Sequence, residues 1–513
     1  MSTEPEYPAG RGLVLKSAWR FVRSNALAVT ALSVLLLVPC FWHRHIQAGD
    51  LGSHIYNAWL AQLVERHEVS GLRVVPQWNN VLFDLLVLRT ADLLGFVAAE
   101  RMAVSLVVLI FFWGSFSFIG RVTGRPPWMV TPFLFVLAYG YAFHMGFMNY
   151  CLSVGLAFSA LAAVWGNGAG NWLCGLALAA LALLAHPIGF ALFSGVAIYL
   201  AVRRVLPGRF WFALPGIVAA AFAALRLYFR SHQGLVASWR SESWLQLLGQ
   251  DQMKVFGHRY DLLSFVALAW GLVCGAAAVY DWIFRAEKPA AALQLAVELY
   301  LVTLIGTICL PENFRTSLYA GWVGLLVSRL TLVTSVFGLL GLSSLPLPRW
   351  SWRGALPVAA VFFVLLYGDT GKLDRMEANA RALTEKMAPG TRIVAVADAP
   401  EEWRVSFIYH SIDRACIGHC FSYANYEPAS LQFRVRAVAG NGVVTTSVDQ
   451  SDDMSSGDYL IQKTDLPLIS IYQCDDSDFT ALCALPLREG QRTEDPESDP
   501  VPLPDSDRDS GEN

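Results

Sequence analysis

Residues Pro126–Val202 read PPWMVTPFLFVLAYGYAFHMGFMNYCLSVGLAFSALAAVWGNGAGNWLCGLALAALALLAHPIGFALFSGVAIYLAV. This run of about 77 residues holds no Asp, Glu, Lys or Arg, and His144 and His186 are its two histidines. A bilayer core takes about 20 apolar residues per helical crossing, so the run is long enough for roughly four. Breaks at His144–Asn149, Gly166–Asn171 and Ala185–Pro187 divide it into spans near 127–143, 149–166, 171–185 and 187–203. The reading that follows is a polytopic α-helical membrane protein.

The rest of the chain extends that reading. Its 513 residues are 55% hydrophobic and 15% charged, against about 25% charged in an average soluble domain. A net charge of −3 gives no electrostatic footing for nucleic acid. Further apolar runs near 25–44, 102–120, 210–229, 260–283, 292–310, 316–340 and 354–368 bring the expected number of spans to about eleven. The run Ala26–Trp42 has basic residues before it and no small-residue cleavage site after it, so it reads as a retained signal anchor.

Basic residues in short loops mark the cytoplasmic side. Arg11, Lys16, Arg20 and Arg23 precede the first span; Arg121 and Arg125, Arg203, Arg204 and Arg209, Arg285 and Lys288, and Arg349 and Arg353 fill later loops. With eleven crossings all these clusters share one side. The other side then holds the insert 45–101, the His144–Asn149 and His186–Pro187 turns, the loop 230–259, Glu312–Arg315 and a C-terminal domain. The expected division is a cytoplasmic N-terminus (1–24), a multi-span domain (25–368), an extracytoplasmic domain (369–487) and a disordered acidic tail (488–513).

Residues 369–487 carry short β-type runs at Thr391–Ala397, Ser406–His410, Gly442–Val448, Asp458–Gln462 and Ile469–Gln473, with turn residues between them. They predict a compact α/β or mostly β domain. Four of the nine cysteines lie here, Cys416, Cys420, Cys474 and Cys483. In an oxidising compartment they allow one or two disulfides; buried free thiols, or a zinc site at Cys416 and Cys420 with His419 and His410, are the alternatives. The run Arg414–Pro428 reads as a loop packed on its own domain or, with its aromatic and amide groups, as a sugar-binding surface.

The insert after the first span opens Ala48-Gly49-Asp50-Leu51-Gly52-Ser53-His54-Ile55-Tyr56. Asp50 and His54 are four apart, which puts both on one face of a helix. The apolar stripe Ile55, Trp59, Leu60 and Leu63 predicts an amphipathic helix over 52–67 lying on the membrane surface. A second such helix is expected over Val81–Leu94, carrying Asp84 and Asp92. Asp50 has two readings: a helix cap accepting backbone N–H bonds, or a carboxylate kept at a membrane boundary for a task.

Gly49-Asp50-Leu51, followed by His54 and Tyr56, together with the layout from about Val14 to Leu487, resembles the GT-C superfamily of membrane glycosyltransferases. The resemblance implies many spans, surface helices in a large first outer loop, a C-terminal outer domain, and an inverting transfer of sugar from a polyprenyl-phosphate carrier to an acceptor. It makes Asp50 the general base, with His54 beside it. It also implies a cation for the leaving phosphate, for which Arg315 in Pro311-Glu312-Asn313-Phe314-Arg315 is the first candidate and Arg259, with Arg230, Arg240, Lys254 and His258, an alternative. Glu312, Tyr56, His144 and His186 complete the expected substrate-binding set.

Two departures from the family pattern argue against a divalent metal, so no cofactor is expected. Leu51 stands where many members have a second acid, and the His144–Asn149 turn has none. Several residues have structural readings too: Arg315 as an interfacial anchor paired with Glu312, and His186 as a partner for backbone groups freed by Pro187. The expected partners are the bilayer of a bacterial-type cytoplasmic membrane, a polyprenyl-phosphate-linked sugar and an acceptor. Glu298 and Arg329, inside expected spans, support a different class, a transporter or flippase of a lipid-linked or small polar substrate. A non-catalytic scaffold that binds a partner through its C-terminal domain is the third.

Overall fold

The computed structural model describes residues 14–166, 168–206, 213–232, 235–239, 250–285, 291–316, 319–347, 349–430, 432–438, 440–475 and 477–494. Arg11, Arg209, Arg240, Lys288 and the tail from 495 lie outside the described residues. The chain is mostly helical, at 65%.

In order, the elements are α1 (Val14–Ser24), α2 (Ala26–Leu37), α3 (Leu51–Glu65), β1 (Leu72–Val74), α4 (Leu82–Leu94), α5 (Phe96–Thr123), α6 (Thr131–Ala138), α7 (Tyr141–His144) and α8 (Met148–Val164). There follow α9 (Ala169–Ala185), α10 (Pro187–Val205), α11 (Ala213–Ser231), β2 (Leu235–Ser238), α12 (Gly257–Arg285), α13 (Ala291–Cys309), β3 (Asn313–Thr316), β4 (Tyr319–Val323), α14 (Leu326–Ser344) and α15 (Trp352–Thr384). The C-terminal elements are β5 (Thr391–Val396), α16 (His410–Ala415), β6 (Cys420–Ser422), β7 (Val435–Ala437), α17 (Val448–Ser455), β8 (Ile469–Gln473) and β9 (Leu482–Pro486).

These elements form two compact units. The first comprises residues 1–46, 77–369 and 402–405; the second comprises 47–76, 370–401 and 406–513. The segment 47–76, expected to belong with the membrane spans, is part of the second unit.

In the first unit, among the described residues, seven helices are long and apolar enough to cross a membrane: α5, α10, α11, α12, α13, α14 and α15. Shorter apolar helices at Ala26–Cys40, Trp128–His144, Met148–Val164 and Ala169–Ala185 occupy the positions of the other four expected spans. The expected span 316–340 is displaced. Asn313–Thr316 and Tyr319–Val323 instead form the strands β3 and β4 of a three-stranded antiparallel sheet ordered β2-β3-β4, and α14 starts at Leu326 after the left-handed Leu325 (φ 54°). The aromatic and β-branched residues Tyr319, Trp322 and Val323 favour a strand there.

Packing is tight where side chains are small. A Cβ on Gly155 of α8 would lie 2.6 Å from the Phe111 backbone of α5, so glycine lets these two helices approach backbone to backbone. Buried charge is paired. Glu298 of α13 accepts from Arg203 Nε (2.8 Å), Tyr199 Oη (2.8 Å) and Gln294 (3.0 Å), which ties the C-terminal end of α10 to the N-terminal half of α13. Arg329 lies 4.2 Å from the Phe147 ring centroid and donates to the Gly324 carbonyl at 2.9 Å. The segment Glu402–Val405 is also held here. Arg404 sits 3.7 Å above the Tyr141 ring and donates to the Asp251 carbonyl and carboxylate at 2.6 and 3.2 Å.

The second unit is α/β. Its four-stranded sheet is ordered β6-β5-β8-β9, with β5 parallel to β6 and β8, and β9 antiparallel to β8. β1 pairs with β7 in a separate antiparallel ribbon. Val394, Met454, Ile461 and Leu468 are central to its core. Of the expected strands, Thr391–Val396 and Ile469–Gln473 form. Ser406–His410 does not, because His410 opens α16; Gly442–Val448 does not, because Asn441 Oδ1 turns the chain by accepting from the Val443 and Val444 amides. Asp458–Gln462 contributes one isolated bridge, Leu460 to Arg492. Residues 488–494 are therefore ordered against the domain, with Ile461 and Gln491 also paired, and the expected tail begins too early. Cys416–Cys420 and Cys474–Cys483 are disulfides, which rules out zinc at Cys416 and Cys420; His419 instead contacts the Met387 carbonyl at 2.7 Å.

Candidate active site

The site is built where α3 meets α16 within the second unit. α3 is not a surface helix: Leu51–Ala58, Leu60, Ala61 and Gln62 are all buried. The small residues on its first turn explain the difference from the amphipathic expectation. A Cβ on Gly52 would lie 2.1 Å from the His410 carbonyl oxygen, so only glycine lets the two backbones meet. Ser53 Oγ donates to Glu427 at 2.8 Å, and the side chains of Asn57 and Asn425 bond each other at 2.9 Å. Tyr56 Oη accepts the Ser422 amide at 2.9 Å, and Trp59 stacks on Phe421 with centroids 5.8 Å apart. A polar stripe thus turns inward, where the sequence pattern suggested water.

Asp50 occupies the N-cap position of α3, yet its side chain makes no capping bond there. The helix-cap reading is overturned. Its carboxylate is 19% exposed, and Oδ1 lies 3.6 Å from Nε2 of His410, which is 1% exposed. The other ring nitrogen, Nδ1, is 2.8 Å from Asp413 Oδ2, and Asp413 Oδ1 accepts from Ser422 Oγ at 2.5 Å. A continuous line Asp50–His410–Asp413–Ser422 results. Burial alone would push the imidazole to lower values, but the Asp413 hydrogen bond and the charges of Asp413, Asp50 and Glu427 outweigh it and raise the His410 pKa.

The walls of the site are aromatic. Tyr409 lies 4.3 Å and Tyr426 5.8 Å, ring to ring, from His410. Burial first, and the negative charge of Asp50 second, push both phenols upward, so both remain neutral hydroxyls. Behind α16, Arg414 pairs with Glu377 (Nε–Oε1 3.0 Å), Gln47 donates to Glu377 at 2.7 Å, and Ser411 donates to Gln47 at 3.1 Å. This fully buried network ties α16, α15 and the start of α3 together, fixing the two residues that face each other.

The expected site residues divide between the units. Asp50, His54 and Tyr56 lie in the second. His54 is buried one turn beyond Asp50 and bonds its carbonyl through the backbone (3.0 Å); the imidazole that faces the Asp50 carboxylate belongs to His410. Tyr56 is a buried acceptor for the domain backbone. The other five lie in the first unit. His186 caps α10, its Nδ1 accepting the Ile188 amide at 3.2 Å, which is the structural role read for it beside Pro187. His144 is buried against Phe143 and Phe256. Glu312 is buried and accepts from Ser328 Oγ at 2.6 Å. Arg259 is bonded to the buried Asp369 at 3.0 Å. Arg315 is exposed on β3, directly across from Val236.

Sequence reasoning did not find the His410–Asp413 pair. Its one local signal is a His and an Asp three apart, one helical turn, just before Cys416. Among the described residues no group of three or more His, Cys, Asp or Glu is arranged to hold a metal. No family model, curated protein or solved structure matches this chain.

Proposed function

We propose that this chain is a multi-pass membrane glycosyltransferase of the GT-C kind. It would cross the membrane eleven times and work on the outer face of a bacterial-type cytoplasmic membrane with its C-terminal domain outside. The reaction moves a sugar from a polyprenyl-phosphate carrier to an acceptor hydroxyl. Asp50 takes the acceptor proton as the oxygen attacks the anomeric carbon. The bond from that carbon to the carrier phosphate breaks, and the polyprenyl phosphate leaves with the electron pair. The charge that develops on the leaving phosphate calls for a cation.

One observation carries the reading: Asp50 is a partly exposed carboxylate with no capping duty, set 3.6 Å from a buried imidazole. Glu298 and Arg329 are each held by near neighbours, and this weighs against the transport reading that rested on them. The test is transfer of label from a radiolabelled polyprenyl-phosphate sugar by membranes carrying wild type or Asp50→Asn. General-base removal costs about 10²–10⁴-fold, so a loss of at least about 100-fold is expected with the fold retained. Equal activity in the variant would remove Asp50 from the chemistry. Labelling of a cysteine placed at Ser455 from outside the cell tests the sidedness.

A further inference from the structure

We propose that His410 is a positioning residue for Asp50: an imidazolium clamped by Asp413 that holds the facing carboxylate ionised and aimed. The inference rests on the role given to Asp50 above. Three geometric facts carry it. First, Asp413 fixes the ring, since its Oδ2 is 2.8 Å from Nδ1 and its Oδ1 is itself tied to Ser422 Oγ. Second, Nε2 is buried, makes no hydrogen bond among the described residues, and lies 3.6 Å from Asp50 Oδ1. A bare lone pair there would repel a carboxylate, whereas an N–H attracts it, so the contact selects the doubly protonated ring. Third, Gly52 seats α3 directly on the His410 carbonyl, so Asp50, two residues earlier, meets this imidazole as a consequence of backbone packing.

The groups facing His410 support the same charge state. Asp413 comes from its own helix, Asp50 from α3, and Glu427 from the segment after β6; each favours the cation. Tyr409 and Tyr426, kept neutral by burial, screen the ring from water. An imidazolium within about 4–6 Å of a carboxylate favours its ionised form by about 1–3 pH units. The ionised form is the one a general base needs.

The experiment is a proton–carbon NMR titration of the full chain in lipid nanodiscs, with histidine rings labelled at Cε1 and the His410 signal assigned by its loss in His410→Gln. The expected His410 midpoint lies above the ordinary value of about 6.5 and falls by about one unit or more in both Asp413→Asn and Asp50→Asn. A wild-type midpoint at or below that value, or one unmoved by Asp50→Asn, overturns the proposal. In the labelled-donor assay, His410→Gln should shift the acid limb of the pH–rate profile upward by about 1–3 units while the high-pH plateau survives. A plateau lowered equally at every pH would mean a purely structural role and also overturn it. Asp413→Asn keeps the imidazole in place and serves the same comparison if the glutamine variant fails to fold. If wild type transfers no sugar, the glycosyltransferase reading fails while the titration still decides the charge pair.

Discussion

Gly52→Ala is the sharpest perturbation of the candidate site that leaves its chemical groups intact. The added Cβ would lie 2.1 Å from the His410 carbonyl oxygen and 2.6 Å from its carbon, where real Cβ atoms do not come within 3.0 Å. The two backbones must separate by roughly 0.9 Å (3.0 minus 2.1), and the obstacle is main chain, which has no rotamer to yield. Overpacking of this kind costs about 1–3 kcal/mol, and the upper end applies to a backbone clash. Alanine regains about 0.5–1 kcal/mol of helix propensity over glycine. The net is about 2 kcal/mol, or roughly a 30-fold shift in the local opening equilibrium. Hydrogen exchange read by mass spectrometry on peptides covering 51–65 and 410–415 measures it. Gly368→Ala is the control, since a Cβ there meets nothing within 4 Å, and it should be neutral or stabilising by up to about 1 kcal/mol. Wild-type exchange in Gly52→Ala would refute the close approach on which the Asp50–His410 geometry depends.

Replacing Cys416 and Cys420 together by Ser opens a five-residue loop between α16 and β6. The expected cost is about 2 kcal/mol, seen as faster exchange in 410–422 with little change in the first unit. Glu298 is buried among Arg203, Tyr199 and Gln294. Arg203→Ala, which leaves that carboxylate uncompensated, should cost about 3–5 kcal/mol, and Glu298→Gln, which keeps neutral hydrogen bonds, should cost less; equal losses in thermal scans would contradict this. Because the folded His410 pKa is raised, its contribution to stability is fully present below the unfolded value of about 6.5 and is lost as pH rises through the folded value. Melting of the second unit should therefore weaken on going from mildly acidic to alkaline buffer in wild type, and His410→Gln should flatten that dependence.

The apolar runs were legible because a crossing segment must satisfy its own backbone bonds and bury or expose apolar side chains along one continuous stretch. Among the described residues, ten of the eleven expected spans overlap an apolar helix in place and the eleventh is displaced; seven of these helices are long enough to cross by length and composition. The misplaced start of α14 shows the limit: hydropathy does not separate Tyr319–Val323 as a strand from the helix that follows, and the pairing with Asn313–Thr316 decides it. α3 failed differently. Its apolar stripe predicts a surface helix, but Ser53 and Asn57 each meet a partner more than 360 residues away, so the polar side is buried as well.

By itself, then, the sequence determined a mostly helical chain whose apolar helices are compatible with a membrane protein, set apart a domain after residue 369 expected to be α/β or mostly β, and singled out Asp50, because composition and local pattern report what a segment's surroundings must be. Tertiary structure alone decided that Asp50 faces His410 and Asp413, that α3 is buried, and that Cys416 bonds Cys420. The first two depend on which distant backbones pack together, and spacing along the chain carries no record of that; the disulfide joins residues four apart and was one of the readings that spacing left open.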